Sequence, residues 1–443
     1  MTQFSPLLNK LNRLVVICGT LLLLLLLMYS SEAQGQTGMR WVSIREIYAK
    51  GKHNAWPDMC RWKGRYYVIF TGHGPGHGPG GRHVVILSSA DAETWDTVLD
   101  IPDTQWQLDE DETWPAQTLF FLPTDERLHV IFWSNARGDS EINPQKKRAL
   151  AAKWKTLGGS DESFERWVAQ HEPSHRTRVT YSDDGQTWAT PRPMLERGWW
   201  IWRPQTYEGR HYILGFRSHS QQWSITPELE EMIPRADSIA PLDPRRGKGM
   251  ELFQSGSLFA SDDGLSWQKV SDMGNNDDDE QGFAFGPGGR ILAVMRNGAA
   301  CKNAIAYVGD PPYQNWKTIQ LDRTIHQPAV LYHQGHWIVG GRYIDEATFV
   351  PGRYVQDGLD SRIGTRLWFI DDETGALRTG TTLPSWGDSG QPAIVPAENG
   401  DLLVAYYACS ETIDENLTVG GGPHPGKFSP CSIYLARVRV DPR

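Results

Sequence analysis

One phrase recurs six times along this chain: a polar or Gln/Pro start, an apolar strand, a glycine turn and a second apolar strand. The copies run Trp56–Phe70, Trp114–Trp133, Arg203–Arg217, Glu280–Arg296, Gln327–Arg342 and Gln391–Tyr407. A unit of roughly 45–90 residues built only from strands and turns cannot bury its own two faces, so copies must pack around an axis. Six copies predict an all-β fold, a six-bladed β-propeller. In such a ring the start of each first strand and the end of each second strand lie near the axis on one face, and that is where chemistry is to be sought.

Residues 1–33 precede the repeats. They carry Lys10 and Arg13, the apolar run Leu14–Met28, and Ser31-Glu32-Ala33 ahead of Gln34, the layout of a secretory signal peptide, with an uncleaved anchor as the other reading. Residues 34–443 are then expected to form one propeller domain, secreted or periplasmic, with no membrane role beyond the signal or anchor. Loss of Lys10, Arg13 and Glu32 moves the formal charge from −9 to −10. A mild acidic balance gives no support to a nucleic-acid partner, which needs a clustered basic surface. Nineteen tryptophans suit flat sugar faces, although those inside the repeats are expected to pack between blades. Cys409 closes the second strand of the sixth repeat and Cys431 opens the next strand, so the pair is predicted to face each other and to form a disulfide.

A second signature marks the hairpins between third and fourth strands: Ser89–Trp95, Ser182–Trp188 and Ser261–Trp267, of the form Ser-x-Asp-Gly-x-Thr-Trp with Ala92 replacing glycine in the first. The Asp side chain accepts backbone N–H bonds, glycine permits a positive φ, and tryptophan packs under the turn. Weaker versions run from Asp310 to Trp316 and from Asp371 to Leu377. In these turns the chain resembles the Asp-box (BNR) repeat of the sialidase, or neuraminidase, superfamily, over about Trp41–Val440. The resemblance implies a six-bladed propeller with the boxes opposite the active site. It further implies three arginines on a sugar carboxylate, a Tyr–Glu pair as nucleophile and an Asp as acid/base.

Strand parity places the polar strand ends on the other face, beside the long insertions at about Ala136–His175, Ser218–Met250, Ile344–Gly364 and Ser410–Pro430. Arg217, Arg296 and Arg342 each follow an apolar second strand in three successive repeats. Either they converge on a carboxylate or sulfate through bidentate forks, or each bridges to a neighbouring carboxylate. By the resemblance, Arg296 and Arg342 stand for two of the family's arginines, and Tyr407 or Tyr343 for its tyrosine. The family's opening Phe/Tyr-Arg-Ile-Pro phrase is absent; that place reads His53–Asp58, so Arg217 or Arg203 would have to substitute. Asp58, Asp111, Glu112, Glu280 and Asp388 are the carboxylates able to reach the axis. Of these, Asp58 is the first choice for acid/base, with Glu280 and Tyr407 as catalytic partners. Arg203, His53, Tyr343, Gln327 and Asp388 are expected to bind substrate, and His326 sits among them.

The loop Gly72–Gly81 holds His73 and His77 but no third ligand at a defined spacing, so no metal is expected. Phosphate-loop, Gly-x-Ser-x-Gly and Cys-x-x-Cys motifs are absent, and no cofactor is expected. The sequence thus predicts a hydrolase on an acidic glycan. A polysaccharide lyase on a uronate and a non-catalytic glycan-binding propeller are the alternatives, and the oligomeric state is open.

Overall fold

The computed structural model describes residues 38–76, 82–106, 112–136, 144–171, 175–196, 198–218, 225, 230–231, 233–235, 254–273, 278–297, 302–344, 363–385, 388–409, 418–419, 422–423 and 430–442. The signal segment, His77, Asp111 and most of the four long insertions lie outside these residues. Among the described residues no helix is long and apolar enough to cross a membrane.

The chain opens on β1 (Met39–Tyr48), then lays down a meander of β2 (His53–Trp62), β3 (Arg65–Gly74), β4 (His83–Ser89) and β5 (Asp96–Pro102). The same antiparallel meander returns as β6 (Glu112–Pro123), β7 (Leu128–Ala136), β8 (His175–Ser182) and β9 (Arg192–Pro193). Next come β10 (Trp199–Tyr207), β11 (Arg210–Ser218), β12 (Gln254–Ser261) and β13 (Gln268–Met273). A fourth round is β14 (Asp278–Phe285), β15 (Ile291–Asn297), β16 (Lys302–Gly309) and β17 (Lys317–Gln320). A fifth is β18 (His326–His333), β19 (His336–Ile344), β20 (Ile363–Ile370) and β21 (Leu377–Leu383). The chain ends with β22 (Gly390–Pro396), β23 (Leu402–Cys409), the ribbon β24 (Thr418–Val419) and β25 (Gly422–Pro423), and β26 (Cys431–Val440).

Four of these meanders, beginning at β6, β10, β14 and β18, are separate four-stranded blades. The expectation of six separate blades is corrected here. β22, β23, β26 and β1 share one eight-stranded sheet with β2–β5. The junction is a single parallel pair, His53 with Cys431, where the Cys431 N–H donates to the Lys52 carbonyl at 2.9 Å. As expected, the chain ends meet: β1 runs antiparallel to β26 from Met39/Val440 to Tyr48/Ile433.

The first strand of every meander carries a register shift near its start, at Ala55/Asp58, Trp114/Gln117, Trp202/Gln205, Asp278/Gln281, His326/Ala329 and Gly390/Ala393. Five of the six shifts contain a proline (Pro57, Pro115, Pro204, Pro328, Pro392). Proline has no N–H for the ladder, so pairing skips and the strand bulges. Trp56, Gln327 and Gln391, each just before its proline, have φ of 58°, 51° and 42°. The sixth shift ends beside Gly282, whose added Cβ would stand 2.4 Å from the Pro328 carbonyl, so β14 approaches β18 too closely for a side chain there.

The core lies between sheets, as a ring requires. Phe120, Ile131 and Val179 of one blade pack with Ile201, Ile213 and Phe259 of the next, each contributing about 1.5–3 kcal/mol when fully buried. The hairpin turns behave as the sequence predicts. Asp91, Asp184 and Asp263 each accept two backbone N–H bonds at 2.7–2.9 Å through one oxygen. Asp371 makes the same turn with Glu373 and Thr374. The insertion after β7 contains two helices, Pro144–Thr156 and Asp161–His171. They pack on their own core of Trp154, Phe164, Trp167 and Val168, and Ser160 and Ser163 cap the second by exchanging side-chain and backbone bonds at 3.0–3.1 Å.

Candidate functional site

Three strands deliver side chains to the Asp388 carboxylate, which lies two residues before β22 and is 5% exposed. His53, opening β2, places Nε2 3.0 Å from Oδ2. Arg342, late in β19, donates from Nη2 to Oδ1 at 3.0 Å and to the Tyr407 hydroxyl at 2.7 Å. Tyr407, late in β23, donates to the same Oδ1 at 3.1 Å. The Arg342 Nε–H also donates to the Ser389 carbonyl. Guanidinium, phenol and carboxylate thus close a buried triangle, with an imidazole on the far oxygen.

Electrostatics follow from burial. Desolvation pushes the Tyr407 phenol well above its ordinary value, with Asp388 adding and Arg342 opposing. Burial works against the Arg342 charge, but Tyr407, Asp388 and Glu280 outweigh it and raise its pKa. Beside the triangle, Arg296 lies 3.1 Å from Glu280 Oε1, while Glu280 Oε2 accepts the Gln327 N–H at 2.8 Å. His326 stands in the field of both arginines; burial first, then Arg296 and Arg342, hold its imidazole neutral, well below the usual histidine range. Its Nε2, both amide atoms of Gln281, the Gln327 Oε1 and the Ser389 hydroxyl are buried without a hydrogen-bond partner among the described residues. Such atoms are what a hydroxyl-rich ligand or ordered water satisfies.

Several expectations change. Asp58, expected as acid/base, has both oxygens engaged: Oδ2 accepts the Phe121 N–H at 2.8 Å and Oδ1 takes Arg203. Burial raises the Asp58 carboxyl, against the pull of Arg203 and two backbone N–H groups, and burial likewise lowers Arg203. Arg203 is therefore the partner of Asp58 and also reaches the Gln391 carbonyl at 3.4 Å. Glu280 spends both oxygens holding Arg296 and the Gln327 backbone, so the carboxylate bonded to the tyrosine is Asp388. Tyr343 is set apart: its ring lies 4.0 Å under the Arg366 guanidinium, since adjacent strand residues face opposite sides. Arg217 pairs with Trp199 in the sheet, but its side chain and that of Glu112 lie outside the described residues. Of the two readings for the arginines, carboxylate pairing is what the structure holds for Arg296 and Arg342. Cys409 and Cys431 do face each other across β23 and β26, with sulfurs 2.9 Å apart.

Sequence reasoning missed Arg82 and Ser389 and left Trp56 unassigned. Arg82 is buried, its guanidinium 4.3 Å over the half-buried Trp56 ring. Desolvation lowers its pKa to about 10 against the charges of Asp103, Asp388 and Tyr407. Trp56 in turn stands 6.4 Å from Tyr407 and 6.0 Å from His53, centroid to centroid. Arg82 follows a Gly/Pro loop and sits outside the repeated phrase; the available signal was that the start of a third strand lies beside the end of a second.

No family model matches the chain, and no curated protein matches it by sequence. Among solved structures, a Dyadobacter fermentans protein of unknown function superposes with a TM-score of 0.57 at 16% identity, covering 91% of this chain and 99% of that one. The Trypanosoma rangeli sialidase in complex with the inhibitor DANA gives 0.54 at 9% identity, over 90% of this chain and 58% of that chain. The phage phi92 endosialidase gives 0.54 at 9%, over 90% and 69%. The match thus spans little more than half of the sialidase's length. At these identities the likeness defines the fold: a sialidase-like, all-β propeller.

Proposed function

We propose that this chain is an exported glycoside hydrolase acting on an anionic sugar. Its ring has six blades, the eight-stranded sheet being two blades fused at His53 and Cys431. Support for that count is the cyclic packing of first strands, β2 on β6, β10, β14, β18, β22 and back to β2. The export reading rests on the sequence pattern of residues 1–33.

The observation that carries the chemistry is the Arg342–Tyr407–Asp388 triangle. Tyr407 is the nucleophile. Its oxygen bonds to the anomeric carbon as the glycosidic C–O bond breaks, the departing oxygen takes a proton from solvent, and the phenol's proton passes along the existing 3.1 Å bond to Asp388. Arg342, 2.7 Å from the phenol oxygen, stabilises the charge that develops there, which matters because burial alone opposes phenolate formation. His53 keeps Asp388 oriented. Water then attacks the anomeric carbon and releases its proton to solvent, the C–O bond to Tyr407 breaks, and the phenolate recovers its proton from Asp388. Arg342 and Arg296 attract the sugar's carboxylate or sulfate, and Trp56 offers it an aromatic face.

The test is turnover of 4-methylumbelliferyl sialosides, uronides and sulfated sugars, whose good leaving group departs without a general acid. Turnover of one anionic substrate is expected, with Tyr407→Phe slower by on the order of 10²–10⁴-fold. An unsaturated, ultraviolet-absorbing product from a uronate polymer would make the protein a lyase. Binding without any turnover would make it a glycan-binding propeller. Either result refutes the hydrolase.

A further inference from the structure

We propose that His73, His83 and Asp100 form a binding site for a zinc-class divalent transition ion, outside the Tyr407 cluster. The three residues come from the end of β3, the start of β4 and the end of β5, adjacent strands of one sheet whose register sets Gly72 against His83 and Val85 against Asp100. The sequence concealed the site because its donors sit on three strands rather than at one local spacing. His83 Nδ1 is 2.6 Å from Asp100 Oδ1, and His73 Nε2 is 3.3 Å from Asp100 Oδ2. One donor atom from each residue lies within 4.8 Å of the other two. Tetrahedral zinc, with bonds of about 2.0–2.2 Å to nitrogen and oxygen, sets its donors roughly 3.3 Å apart, inside the observed spread. Small side-chain rotations complete the geometry.

Two further features point to a cation rather than to a plain hydrogen-bond cluster. His73 Nε2 is contacted by two groups, the Asp100 carboxylate and the Tyr48 hydroxyl at 2.7 Å. One ring nitrogen has a single in-plane bond to give. A metal on that lone pair frees Tyr48 to donate to Asp100, as outer partners of metal ligands do. The His73 ring is also clamped. The backbone has φ of 61°, and Gly51 packs so tightly that an added Cβ would stand 2.8 Å from the His73 Cα and 3.0 Å from Nδ1. With side chains 25%, 35% and 30% exposed for His73, His83 and Asp100, the fourth position is open to water. The ion ties together the ends of three strands. It also fixes the backbone beside Arg82, whose side chain leaves the opposite face of the strand toward Trp56.

The full chain, stripped with chelator and dialysed, is titrated with Zn²⁺ by calorimetry and with Co²⁺ by visible absorption. Wild type takes up one ion per chain, and His83→Ala and Asp100→Ala each weaken binding at least about 100-fold. His83→Gln, which keeps a polar group of similar reach, controls for loss of fold by circular dichroism and loses binding too. Cys431→Ser binds as wild type. Absence of uptake, equal affinity in His83→Ala, or a cobalt–thiolate charge-transfer band that vanishes in Cys431→Ser overturns the assignment. None of these readouts depends on hydrolysis.

Discussion

Removing the Asp58 carboxylate separates a structural role from a catalytic one. Asp58→Ala leaves Arg203 charged and 6% exposed, its Nε already without a hydrogen bond, and orphans the Phe121 N–H. Breaking a buried ion pair by deleting one partner costs about 3–5 kcal/mol. Unfolding the roughly 310 described residues carries an entropy of about 0.65 kcal/mol/K, so the midpoint falls by about 5–8 °C. Asp58→Asn retains an acceptor for one of the two bonds and falls less. The double variant Asp58→Leu/Arg203→Met removes both charges and recovers most of the loss, because well-packed apolar replacements of buried pairs are often neutral or better. Calorimetric scans of the four proteins are paired with turnover of the substrate found in the hydrolysis screen. The structural reading requires a stability loss in Asp58→Ala, rescue in the double variant, and turnover within a few fold of wild type in folded Asp58→Asn. An Asp58→Asn protein that melts like wild type yet has lost turnover by two orders of magnitude would refute the reasoning and restore Asp58 as the acid.

Other expectations follow from the turns opposite the site. Backbone N–H groups of Thr94 and Glu93, then the Ser89 hydroxyl, hold Asp91 down to about 2. At Asp263 modest burial is outweighed by Ser266, Leu265 and Ser261, again giving about 2. A depressed folded-state pKa contributes stability above the ordinary value of 3.8, which is lost as pH falls toward about 2. The urea midpoint should therefore drop across that window, and more shallowly in Asp91→Asn/Asp263→Asn; identical profiles would argue that the turns are not pinned this way. Gly185 has φ of 76° and an added Cβ would stand 2.7 Å from the Tyr67 hydroxyl, so Gly185→Ala should cost about 1–3 kcal/mol. Thermal unfolding unchanged by that substitution would contradict the close approach.

Features carried by local pattern were legible in the sequence. The Asp turns need only an Asp and nearby backbone N–H groups within one hairpin, and β1 meets β26 because the six phrases leave one strand at each end to pair. The opposition of Cys409 and Cys431 was equally readable, since they flank one loop between paired strands. What the pattern could not supply was contact between blades. Asp58 looked like a catalytic acid from its place at a strand start, but its partners, Phe121 N–H and Arg203, belong to two other sheets. Their position is set by how blades rotate against one another, not by alternation along a strand. Arg82 and the His73–His83–Asp100 group were hidden for the related reason that strand order within a sheet brings together residues the repeat treats as unrelated. Even the separation into blades was overstated by the repeat, because one backbone bond at Cys431 is enough to fuse two meanders into one sheet.

Among the described residues two buried Asp–Arg pairs, Asp58–Arg203 and Asp388–Arg342, differ in what else each carboxylate touches. Asp58 closes the proline-containing bulge at the start of β2, whereas Asp388 lies two residues ahead of β22, before that strand's own bulge at Gly390/Ala393. At Asp58 the remaining oxygen is bound by a backbone amide, a donor that does not ionise near neutral pH. At Asp388 the other donors are a phenol and an imidazole, both able to give up a proton and take it back. Burial penalises charge at both sites, and each carboxylate is paired with an arginine. Only at Asp388 can the protein rearrange charge by moving a proton instead of an ion. A substitution that preserves the ion pair while removing that mobility, Tyr407→Phe, is therefore the change that isolates chemistry from stability.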